Sequence, residues 1–206
     1  MKKIWKGLLI FSVAALGAAC GGESGDDAGD AGAAEAAEME AARADAGGDA
    51  PGDMAGGVME ADWIAVDHDG GTVTIELIAG ETATNSGWNF NGYLGGETTV
   101  VVPEGYEITI NFRNDDPVNY HSVAVLDTQA TWPPMFNEMV PVFDGAITSN
   151  AGSANESTPP GGGSEAVTFT ASSAGAYALV CVVPAHAMQG MWLDFEVSAD
   201  GEAGLR

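Results

Sequence analysis

The stretch YEITINF, Tyr106 to Phe112, decides the fold. Its apolar residues Tyr106, Ile108, Ile110 and Phe112 alternate with Glu107, Thr109 and Asn111. Period-two alternation places the first set on one face of a strand and the second on the other, so this strand buries one side. TVTIELI, Thr72 to Ile78, repeats the pattern with Val73, Ile75 and Leu77. Working outward, further strand candidates are Thr98–Val102, His121–Leu126, Ala166–Thr170, Ala176–Cys181 and Trp192–Val197, with a short one near Trp88–Phe90. Clusters of Gly, Pro, Asn and Asp separate them, and no long helix is expected after Met59. Seven or eight short strands in about 135 residues indicate an all-β architecture, a β-sandwich of Greek-key type.

The region before these strands has a different texture. Residues 21–60 are almost wholly Gly, Ala, Asp and Glu, which cannot build a core and read as a disordered acidic linker. As a flexible coil this tether has a root-mean-square reach of about 35 Å. Residues 1–20 have the order of a signal peptide: Lys2, Lys3 and Lys6, then an apolar run, then the small residues of LGAAC. Cys20 followed by Gly21 and Gly22 resembles a lipoprotein cleavage site, which implies an exported protein, periplasmic or at the cell surface, anchored to the membrane through lipid on Cys20. The folded domain is then expected over 61–200, with a tail at 201–206. With Cys20 processed, Cys181 has no disulfide partner, and a lone thiol in an exported protein calls for a metal or reactive role.

The net charge of −24 argues against nucleic acid as a partner. It favours solubility, or steering toward a basic partner over a screening length of about 8 Å at physiological salt. One connection is unusually long, from Asp127 to about Glu165. Its first half, with Trp132, Phe136 and Phe143, is apolar enough to pack on the body. Its second half, SNAGSANESTPPGGGS, reads as mobile.

The chemistry lies in CVVPAHAMQGM, Cys181 to Met191, which spaces its key residues as Cys-x4-His-x4-Met. Thiolate, imidazole and thioether form a soft ligand set suited to copper, above all in a His2Cys site with a weak axial Met. A second histidine is needed, and His121, opening the strand candidate in NYHSVAVL, is where it would be sought. A sandwich can set the start of one strand beside the end of another. His68, in the turn-like DHDGG, reads as exposed and uninvolved.

WNFNGYLGG, NYHSVAV and GAYALVCVVPAHAMQGMW together resemble the blue-copper proteins, the cupredoxins, in their sulfocyanin and rusticyanin branch. The resemblance spans roughly residues 70–198. It implies a cupredoxin-like fold holding one type 1 copper, with His121, Cys181 and His186 as strong equatorial ligands and Met191 as the long axial one. Met188 is left on the surface, where it joins Pro184 in an apolar collar at the His186 edge. Ser122, after the first histidine, is similar to the high-potential rusticyanin pattern. A closed four-ligand set implies electron transfer rather than enzymatic turnover, and the resemblance implies exchange with respiratory partners, a cytochrome or terminal oxidase; a monomer is expected. The alternative is a copper carrier delivering metal to an oxidase.

Overall fold

A computed structural model describes residues 57–206. The expected signal segment, Cys20 and the linker as far as residue 56 lie outside the described residues. Nine strands follow in order: β1 Ile64–Asp67, β2 Thr72–Ala79, β3 Thr99–Pro103, β4 Glu107–Asn114, β5 Ala124–Asp127, β6 Gly163–Thr170, β7 Gly175–Val180, β8 Trp192–Ser198 and β9 Gly204–Leu205. They form two sheets, ordered β1-β2-β4-β6 and β5-β7-β8-β3-β9. Each sheet contains one parallel pair, β2 with β4 and β3 with β8, among antiparallel neighbours. The only helical elements among the described residues are two short 3-10 turns, at Thr84–Gly87 and Ala187–Gln189.

The alternation read in the sequence supplies the core. Val73, Ile75 and Leu77 of β2 and Ile108, Ile110 and Phe112 of β4 face Val100, Leu179, Leu193 and Phe195 from the other sheet, all essentially inaccessible to water. Full burial of each such side chain contributes about 1.5–3 kcal/mol, so this layer dominates the stability of the sandwich. Strand β7 is buried on both faces. Tyr177 and Leu179 point into the sandwich, while Ala178 and Val180 join a second cluster with Leu126, Trp132 and Ala151 on the outer side of the sheet. The long connection supplies that cover through Trp132, which packs 6.0 Å from Trp192 between ring centroids. Its neighbours Met135 and Val140 stay exposed, whereas Phe143 enters the main core and stacks on Phe169.

Several boundaries differ from the sequence expectations. The segment expected as a tail, 201–206, is part of the fold: Leu205 is buried, exchanges main-chain hydrogen bonds with Met59, and β9 pairs with β3. Gly204, at φ 141°, has Met59 O only 2.3 Å from where a Cβ would stand, so no other residue allows this close pairing. The second half of the long connection reads as mobile, yet Ser157 and Thr158 are buried and Thr158 exchanges main-chain bonds with His121. That isolated bridge, not a continuous strand, carries His121; β5 begins three residues later. The short strand near Trp88–Phe90 reduces to single bridges from Phe90 to Ala79 and Tyr93.

Candidate metal centre

Two separate stretches of chain meet at one end of the sandwich. The first is the loop between β4 and β5, which carries His121. The second leaves β7 at Cys181 and turns back into β8 through Val183, His186 and Met191. Its shape follows from its main-chain bonds. His186 N donates to Val183 O, Met191 N to His186 O, and Cys181 N to Met191 O, so the loop closes on itself. Gly190, at φ 97°, ends the short 3-10 turn in the left-handed conformation, where glycine has no steric penalty. Ala185 takes a left-handed φ of 71° without that freedom, and its N–H donates to Pro134 O in the long connection. This strained residue immediately precedes His186, as local strain clusters at functional sites.

The donor atoms converge. His121 Nδ1 lies 3.1 Å from His186 Nδ1, and Cys181 Sγ lies 3.5 Å from His186 Nδ1 and 3.8 Å from His121 Nδ1. The point equidistant from all three is about 2.0 Å from each, close to the 2.0–2.1 Å at which imidazole nitrogen binds a first-row divalent ion. All three residues are buried, so water does not compete for the position. The side chain of Met191 is fully enclosed in the same core cluster as Cys181, and its main chain is bonded to both Cys181 and His186. The residues present therefore fit one copper ion: a soft sulfur and two imidazoles converging in a dry pocket, with Met191 buried in the same core cluster.

Burial acts oppositely on the two ligand types: it keeps the thiol protonated and the imidazoles neutral. Burial pushes the Cys181 thiol up to about 11, against hydrogen bonds from the Ser122 and Val183 amides and the Ser122 hydroxyl. Burial, and then the neighbouring His121, push His186 down to about 4. Burial also lowers His121, opposed by Asp116. The imidazoles are thus neutral, and a cation would have to displace the thiol proton on entry.

Three contacts were not visible in the sequence. Asp116, buried, places Oδ2 3.1 Å from His121 Nε2. Burial would raise its carboxyl, but hydrogen bonds from the Asn119 side chain and amide, the Val118 amide and His121 outweigh that and hold it at about 2. Trp88 stacks on His186. Ser122 Oγ accepts from Val182 N at 3.2 Å and sits 3.7 Å from Cys181 Sγ, tying the two ligand stretches together. An Asx-turn signal in DDPVN could have marked Asp116 as a turn former; nothing in the sequence aims its carboxylate at His121. The remaining expectations for this region are met by position. Met188 is exposed, Pro184 is half-buried beside it, and His68 is exposed, with its Nδ1 3.1 Å from the Tyr106 hydroxyl.

The sulfocyanin (SoxE) domain model matches residues 60–203. The sulfocyanin of Sulfolobus acidocaldarius is 30% identical over 125 residues, which cover 59% of this chain and 61% of that protein. The chain thus spans about three-fifths of that relative. Among solved structures, rusticyanin from Thiobacillus ferrooxidans is 24% identical, with 66% of this chain and 87% of that one covered and a TM-score of 0.45. Dithionite-reduced auracyanin from Roseiflexus castenholzii is 26% identical, with 61% and 96% covered and a TM-score of 0.41.

Proposed function

The chain belongs to the sulfocyanin family of blue copper proteins, and from that premise we propose that it carries single electrons between respiratory-chain proteins outside the cytoplasm. The observation that carries this reading is the buried triangle of His121 Nδ1, His186 Nδ1 and Cys181 Sγ, set into a rigid two-sheet scaffold. Copper in such a site accepts and releases one electron with little change in ligation. The protein's part is to hold the ligands in place in both states. His121 is fixed by its bridge to Thr158, and Cys181 and His186 by a loop whose amides bond one another. Met191 would supply the fourth, thioether ligand in this reading. With Met191 as a fourth ligand, the set would leave no position open for a substrate, as suits an electron carrier.

The route for the electron is the His186 side. His186 is the ligand nearest the surface, beside half-buried Pro184 and exposed Met188, an apolar rim on which a cytochrome or oxidase domain could dock briefly. The acidic surface would orient a basic partner, so electron transfer to a cationic cytochrome should slow as salt rises. Rates unchanged between low and high ionic strength would assign the charge to solubility alone. Anchoring through Cys20 completes the proposal: Cys20→Ala should release the protein from membranes. Among the described residues no helix is long and apolar enough to cross one.

The deciding experiment is a titration with copper. One equivalent should bind and give an intense visible band from thiolate-to-copper charge transfer, which Cys181→Ser abolishes. A colourless protein, or a second equivalent bound with equal affinity at the same site, would overturn the reading.

A further inference from the structure

We propose that Asp116 is a positioning residue of the metal centre: it fixes which nitrogen of His121 faces the metal and sets a permanent negative charge behind that ligand. The inference rests on the copper reading given above, but its central claim concerns the protein before any metal arrives.

The hydrogen bonds around Asp116 determine the tautomer. Oδ1 accepts from the amides of Val118 at 2.7 Å and Asn119 at 2.9 Å, and Oδ2 accepts from Asn119 Nδ2 at 2.9 Å. A carboxylate has no proton to give, so the remaining contact, Oδ2 to His121 Nε2 at 3.1 Å, requires the proton on Nε2. Nδ1 is then left with its lone pair, and Nδ1 is the atom that faces Cys181 and His186. The fold makes room for this arrangement. A Cβ on Gly87, at φ 87°, would stand 2.8 Å from Asp116 Oδ2, and one on Gly80, at φ 70°, 2.7 Å from the Asp116 main-chain nitrogen. Asn114 completes the enclosure: its Oδ1 accepts from Asp116 N, and its Nδ2 donates to Asn119 O and Thr158 O. Asp116 and the segment that bridges to His121 are thereby locked into one unit.

The charge has a second effect. A hydrogen-bonded carboxylate makes the imidazole a stronger donor and lies close enough to favour the more positive ion, Cu(II). Asp116 therefore pulls the reduction potential down, opposing the amide and hydroxyl groups around Cys181 Sγ, which pull it up.

Asp116→Asn tests both effects and should still fold. Asn at 116 can accept from the Val118 and Asn119 amides with Oδ1, which keeps the turn and places Nδ2 against His121 Nε2. Two donors cannot share that contact, so the variant favours the Nδ1–H tautomer, with a proton where the metal belongs. In the copper-free full chain at neutral pH, ¹⁵N NMR of the imidazoles should show His121 as Nε2–H in the wild type and shifted toward Nδ1–H in Asp116→Asn. Copper affinity should fall about 10–100-fold, the usual cost of losing such a partner, and the potential should rise while the visible band persists. Wild-type His121 found as Nδ1–H would overturn the proposal, whether or not the variant folds. So would a folded variant with unchanged tautomer, affinity and potential. Failure of the wild type to bind copper would instead overturn the functional reading and leave the tautomer result to be judged alone.

Discussion

The indole of Trp88 lies nearly flat on the imidazole of His186, with ring centroids 4.0 Å apart and an interplanar angle of 22°. Trp88 comes from the loop after β2, and Asn85 of the same loop donates to Gln189 O in the ligand loop, so two distant segments clamp the ligand ring. The Trp88 Nε1–H is buried with no partner among the described residues.

That pairing makes the size of residue 88 matter more than its polarity. Trp88→Phe keeps an aromatic face on His186 and removes an orphaned donor whose burial costs about 1–3 kcal/mol, so stability should stay within about 1 kcal/mol of wild type. Trp88→Ala uncovers His186, and a loss of about 2–4 kcal/mol is expected. Copper should also leave faster to a Cu(I) chelator from the alanine variant. Urea unfolding and chelator kinetics measure the two effects; equal release rates for both variants would show that the stacking does not guard the ligand.

Ser122→Ala should act on two properties at once. The Val182 amide is buried and loses its acceptor, a cost of about 1–3 kcal/mol. The sulfur of Cys181 loses a nearby hydroxyl, which leaves more charge on the thiolate, favours Cu(II) and lowers the reduction potential. Redox titration of the variant checks the sign, and an upward shift would contradict it.

Ala185 sits at φ 71° immediately before His186. A β-branched residue fits this left-handed region far less well, so Ala185→Val should cost about 1–2 kcal/mol. Ala185→Gly relieves the strain and loosens the unfolded chain by a smaller amount, so a small net gain in stability is expected. A thermal melt showing Val and Gly equally stable would mean the loop relaxes to another conformation.

The copper-free protein should weaken as pH falls. His186 is held near 4 against its usual 6.5, so the unfolded chain takes up this proton first, and stability drops between those values and levels off below. Asp116 is depressed from 3.8 to about 2, so its contribution is complete above 3.8 and lost as pH falls through 2. Both groups act in the same direction. Urea midpoints should be measured in about 1 M salt, where a screening length of about 3 Å suppresses repulsion within the acidic surface. A midpoint at pH 4 equal to that at pH 7 would refute the expectation.

Short-range pattern determined a large part of this molecule. Alternation along Val73–Leu77 and Tyr106–Phe112 was enough to predict strands and the face each buries, because a strand's side chains point by parity alone. Cys181, His186 and Met191 share one loop, so their spacing could be read directly, and His121 followed from the need for a second imidazole and from the family resemblance.

What only the tertiary structure decided depends on pairs far apart in the chain. The bridge of His121 to Thr158, the stacking of Trp88 on His186, and the enclosure of Leu205 against Met59 each join residues whose local sequence has no periodicity to report them. Asp116 is the sharpest case. It lies only five residues from His121, but the direction of its carboxylate is set by the two glycines that leave it space and the turn amides that hold it, and those positions exist only once the sheets have packed. Ligand identity is a property of residue chemistry and spacing; ligand orientation is a property of the packed surroundings.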